Sequence, residues 1–137
     1  MATTTATISI TSPDITGDPL NLSKSTTLNK AGTATGLDQF TGITTVVYAA
    51  AQTATNIVAA ADYADTTTAH KVYIKNSSSG TSDYVTVELG GSNVLMGLLY
   101  PGDWCFFPYD GTLDVDIDTS AVGMKVEYGV LSQSAAS

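Results

Sequence analysis

Turn-forming residues interrupt this chain roughly every 8 to 12 residues, and that spacing rules out most architectures. The breaks fall at Ser12-Pro13-Asp14, Gly17-Asp18-Pro19, the Ser-rich stretch around Gly80, Gly90-Gly91-Ser92, Tyr100-Pro101-Gly102-Asp103 and Asp110-Gly111. Between them apolar and polar residues alternate with the period of a half-buried strand. Ala6, Ile8 and Ile10 alternate with Thr and Ser, and Leu20 and Leu22 open a second extended segment. Val72 and Ile74 alternate with Lys71, Tyr73 and Lys75, and after the Ser-rich turn Val85, Val87 and Leu89 read as the second arm of a β-hairpin. Leu113, Val115 and Ile117 alternate with Asp114, Asp116 and Asp118, and Met124, Val126, Tyr128 and Val130 with Lys125, Glu127 and Gly129. Gly42 to Ala49 is β-branched and aromatic. Only Ala50 to Asp65 is rich in helix-forming Ala, but Thr53, Thr55, Asn56, Ile57 and Val58 break any apolar stripe, so a short strand near Ile57 and a loop or single helical turn at 60–63 are expected. About nine or ten short strands without a long helix predict an all-β sandwich, jelly-roll-like, with an extended N-terminal segment. Residues 1–45 form strands or an arm and 46–137 the sandwich core, within a single domain overall.

The densest stretch runs from Leu98 to Gly111. It holds Tyr100, Trp104, Phe106, Phe107 and Tyr109, five of the eleven aromatics, with the single Trp and the single Cys. Pro101 and Gly102 suit the two central positions of a type II turn, and a short strand follows. On it Trp104, Phe106 and Pro108 face one way and Cys105, Phe107 and Tyr109 the other. Both faces are apolar. The strand is either central and buried on both sides, or has one face in the core and one in a subunit contact. The candidate interface is therefore Tyr100, Trp104, Phe106, Phe107 and Tyr109.

Charge narrows the partners. Five Lys, no Arg and thirteen acids give a formal charge of -8. Binding to nucleic acid or to an anionic membrane draws on clustered Lys and Arg, so neither is expected. No run approaches the roughly 18 apolar residues of a membrane helix. One Cys forms no internal disulfide. The N-terminus lacks the basic and apolar regions of a conventional secretion signal, which points to synthesis in a cytoplasm.

No catalytic set emerges, and no cofactor fingerprint. His70 is the only His, and Cys105 sits among aromatics where a thiol behaves as a small hydrophobe, so neither is assigned as catalytic. Asp114, Asp116 and Asp118 superficially resemble the start of a calcium loop. However, Thr119 replaces the required Gly and Lys125 the final Glu, so the aspartates read as a solvated strand face guarding an edge, and no metal is assigned. Trp104 with nearby Tyr side chains offers a second possibility, a platform on which a sugar stacks.

From Lys71 to Leu131 the chain resembles small structural proteins of tailed-bacteriophage virions. The resemblance rests on Lys-Val-Tyr-Ile-Lys-Asn, Asp-Tyr-Val-Thr-Val-Glu-Leu-Gly-Gly, the Leu-Tyr-Pro-Gly-Asp-Trp-Cys-Phe-Phe-Pro motif and the terminal Val-Glu-Tyr-Gly-Val strand. It implies a β-sandwich without enzymatic activity, located in the virion on the capsid surface. The implied role is decoration or cement, with the major capsid protein as partner and a dimer or trimer of the chain as the docking unit. A neck or tail adaptor and a carbohydrate- or receptor-binding sandwich are the alternatives.

Overall fold

The computed structural model describes residues 3–17, 19–63, 69–91 and 94–133. Eleven strands follow in chain order: β1 (Thr5–Ser12), β2 (Leu20–Thr27), β3 (Gln39–Phe40), β4 (Thr44–Val47), β5 (Thr55–Val58), β6 (His70–Asn76), β7 (Val85–Leu89), β8 (Val94–Leu99), β9 (Trp104–Tyr109), β10 (Val115–Thr119) and β11 (Lys125–Ser132). A single 3-10 turn at Ala60–Asp62 is the only helical element among the described residues. The Ala-rich stretch thus resolves into β5 and that one turn. Intrinsic helix propensity loses to β-branched residues that fill the core.

Pairing is nested: β4 with β11, β5 with β10, β6 with β9, and β7 with β8, all antiparallel. Further pairs, β11 with β6 and β10 with β7, knit these into two sheets. One sheet runs β4-β11-β6-β9, with the two-residue β3 continuing β4 along the edge of β11. The other runs β5-β10-β7-β8. A long hairpin of strand pairs folded over into two facing sheets, here of five and four strands, is jelly-roll winding. The all-β sandwich expected from the turn spacing is what forms.

The core lies between the sheets. Val72, Ile74, Phe107, Tyr109, Val126 and Val130 meet Val58, Val85, Val87, Leu99, Val115 and Ile117, with Met124 at one end. Each fully buried side chain of this size contributes about 1.5–3 kcal/mol. Leu37, also buried, lies outside this cluster and fixes the base of the N-terminal segment.

Three sequence expectations change. β6 and β7 do not form a hairpin: they sit in different sheets and face each other across the core. Alternation identifies which residues point inward, and both strands satisfy it equally well whether bonded or stacked. The aromatic strand β9 is a sheet edge, bonded only to β6, which accommodates Pro108. The aspartate strand β10 is central, not an edge.

A single buried amide joins the sheets. Asn76, at the end of β6, is fully buried, and its Nδ2 donates to Leu99 O at 2.8 Å in the opposite sheet. Its backbone N–H donates to Asp103 O at 3.0 Å, and its carbonyl accepts from Gly102 N–H at 2.8 Å. The Tyr100–Asp103 turn is closed by Asp103 N–H to Tyr100 O at 2.8 Å and by Tyr100 N–H to Asp103 Oδ2 at 2.9 Å. Gly102, at φ 93°, supplies the positive dihedral the turn requires. Asn76→Ala strands the Leu99 carbonyl and is expected to cost about 2–3 kcal/mol in denaturant unfolding, since a buried acceptor loses its donor. A loss below a few tenths of a kcal/mol would show that water satisfies the carbonyl.

Candidate functional site

The N-terminal strands stand apart from the sandwich. β1 and β2 pair over their full length, Thr5 opposite Thr27 through Ser12 opposite Leu20. They pack on each other and only lightly on any sandwich strand. An isolated two-stranded hairpin is marginal in water, so this one is held at its base. There Leu28 N–H donates to Thr4 O, Thr4 Oγ1 to Leu37 O and Leu37 N–H to Leu28 O, at 2.7, 2.8 and 2.9 Å. Lys30 and Asp38 form an ion pair at 2.6 Å, and Gln133 Oε1, beyond β11, accepts from Ala31 N–H at 2.9 Å. Toward the tip Ile10, Leu20 and Ile15 remain exposed.

Between this arm and the outer face of the β4-β11-β6-β9 sheet lies a groove of about 720 Å³. Its floor is a ladder of side chains. Trp104 stands opposite Lys75 and Phe106 opposite Tyr73, with Leu131 contributed by β11. Trp104 is 50% exposed and Phe106 40%. Tyr73 is held by donating its hydroxyl to Glu127 Oε2 at 2.8 Å, and burial first, then that bond and the Glu127 charge, push its pKa up to about 12. Ala6, Ile8, Lys24, Thr26 and Leu28 contribute from the arm's inner face, and Thr7 and Ser25 bond to each other on its outer face.

The candidate interface residues therefore divide. Tyr100, Trp104 and Phe106 are exposed, whereas Phe107 and Tyr109 are core residues and leave the interface set. Their two faces are equally apolar in sequence, and only the position of the second sheet separates them. The sequence candidates leave out β8. Val94, Leu95, Met96 and Leu98 are all exposed on this sheet-edge strand, which bulges where Gly97 pairs Val87 and Leu95 pairs Glu88.

The other sequence candidates do not assemble into a reactive centre. His70 and Cys105 are on adjacent strands, but Cys105 pairs Ile74, four residues from His70, so they lie about 13 Å apart along the strand. His70 is buried and stacks edge-on against Tyr63, with ring centroids 5.2 Å apart. The β10 aspartates are not a solvated face. Asp114 Oδ1 accepts from Ala60 N–H, Asp116 Oδ2 from Gly91 N–H and Asp118 Oδ1 from Ala54 N–H, at 2.8, 2.6 and 2.6 Å. Each carboxylate clamps a different loop against the sheet, including the strained Ala54 at φ 46°. Among the described residues no three His, Cys, Asp or Glu side chains converge as a metal site.

Comparison with family models, with curated proteins and with solved structures found no match. Function must be read from the surface.

Burial raises the Cys105 pKa from 9.0 to about 11, partly offset by a backbone hydrogen bond from Ile74. At pH 8 the thiolate fraction alone makes alkylation about a hundredfold slower than for an ordinary thiol. The linkage has a definite sign. The unfolded thiol ionises at its ordinary value while the folded one holds its proton, so stability is intact below pH 9 and falls as pH rises toward 11. Tyr73 and Tyr109, both raised from 10.0 to about 12, extend the loss upward. Iodoacetamide kinetics and pH-dependent unfolding check this; labelling at a free-thiol rate would contradict it.

Proposed function

We propose that this chain is a non-enzymatic virion structural protein, of the kind that decorates or cements a bacteriophage capsid. It docks on the major capsid protein as a dimer or trimer and stabilises the head through subunit contacts. The observation that carries this reading is β8. Four large apolar side chains are exposed on it, Leu95 at 67%, and no charged residue occurs between Gly90 and Gly102. A sheet edge that ends in water usually carries Lys, Pro or an inward charge, and this one has only its bulge. Strand edges and apolar patches of this kind are covered by another chain through backbone pairing and burial. The low charge density and the projecting hairpin fit the same role, since an arm reaching past its own domain is free to bridge neighbours.

A second reading, a carbohydrate- or receptor-binding sandwich, is favoured by one observation, the exposed Trp104 on the groove floor amid arm hydroxyls. A neck or tail adaptor differs from capsid decoration in copy number alone: hundreds per particle for the capsid, about a dozen for the neck.

Light scattering over a concentration series is expected to give a dimer or trimer mass. Leu95→Lys, at a position exposed in the monomer, is expected to leave far-UV circular dichroism unchanged and shift the mass to monomer. A wild-type chain that is monomeric at every concentration would contradict assembly through β8.

A further inference from the structure

Charge on this molecule is distributed unevenly around the groove. The protein carries thirteen acids and five Lys, yet the residues lining the groove include Lys24 and Lys75 and no Asp or Glu. Glu127, opposite Lys75 on the sheet, lies outside that lining, where it accepts the Tyr73 hydroxyl and keeps its negative charge. An acidic protein thus opens a groove whose lining carries two lysines over an aromatic floor.

We propose that this groove binds an acidic saccharide, a sugar chain bearing carboxylates. The inference rests on the carbohydrate reading above and specifies its ligand. The volume of about 720 Å³ falls in the range of small-ligand sites and accommodates a few sugar rings. Trp104 and Phe106 present ring faces to the apolar C–H face of a pyranose, while Lys24 from the arm and Lys75 from the floor meet its carboxylates as charge-assisted partners. Thr26, which shares the arm's inner face with Ala6, Ile8 and Lys24, offers a donor and acceptor to sugar hydroxyls.

An acidic peptide is the competing occupant, and the floor disfavours it. Tyr73, Lys75, Trp104, Phe106 and Leu131 come from three adjacent strands, so the floor is a sheet face. Over β11 and β6 that face offers side chains and no unpaired backbone, the free edge of β9 lying at its border, so a peptide laid across the face would leave most of its own N–H and C=O groups without main-chain partners. A saccharide has no such requirement.

Trp104 is the only Trp, so its fluorescence reports the groove directly. The intact protein is titrated with oligogalacturonate and with a sialylated oligosaccharide, which separates plant- or bacterial-type uronates from sialic acids as the source of the carboxylate. Neutral oligosaccharides of matched length and polyglutamate serve as comparators. At least one acidic sugar is expected to shift the emission saturably, and the Lys24→Gln, Lys75→Gln double variant to bind it about tenfold more weakly. Equal binding of neutral and acidic sugars, unchanged in the double variant, would overturn the acidic specificity while leaving a carbohydrate site. No response to any sugar up to about 10 mM would overturn both. Tighter binding of polyglutamate than of any sugar would overturn the proposal in favour of an acidic protein segment.

Discussion

The amide of Asn76 is the polar contact on which the winding of this fold depends. Buried without exposure at the end of β6, it spans the core to the Leu99 carbonyl, while its backbone grips the turn that follows β8. That turn takes the chain from one sheet to the other, so that β8 ends the β5-β10-β7-β8 sheet and β9 begins the opposite edge. The nest starts at the β7–β8 hairpin, and the fixed β8–β9 crossover places β9 against β6 as its next pair. A buried amide left unsatisfied is expensive, so a satisfied one selects this crossover over alternatives with similar apolar burial.

With the sandwich closed in this way, the surfaces left over are informative. The central strands are covered on their inner faces, and the loops above β10 are clamped by Asp114, Asp116 and Asp118. What lacks cover is peripheral: the arm tip with Ile10, Leu20 and Ile15, the β8 edge, the β3–β4 edge with Phe40, Ile43 and Val47, and the Trp104–Phe106 face. Of these, the arm is the thinly packed element, where local opening is cheap.

Much of the fold was legible because alternation reports burial directly. Val72 and Ile74, Val85 and Val87, Val115 and Ile117, and Val126 and Val130 all face inward as their spacing requires. The same pattern is silent on partners, which is why β6 and β7 resembled a hairpin although they stack across the core. Phe107 and Phe106 are one chemistry at adjacent positions, and only tertiary packing places one in the core and leaves the other in the groove. The groove itself had no local signature, because it gathers residues from 5–8, 24–28, 73–75, 104–106 and 131. The aspartates were misread for a physical reason: alternating acids look solvated unless the loop N–H donors that reach them are known.

In this fold a jelly-roll sandwich carries an arm fastened at its base. Hydrogen–deuterium exchange of the isolated chain, resolved by peptide, tests this most directly. Amides of β1 and β2 are predicted to exchange orders of magnitude faster than those of β6, β10 and β11, which open only with the global fold. Protection in β1 and β2 equal to that in β11 would contradict the account, because the arm would then belong to the folding core and would not be free to reach a partner.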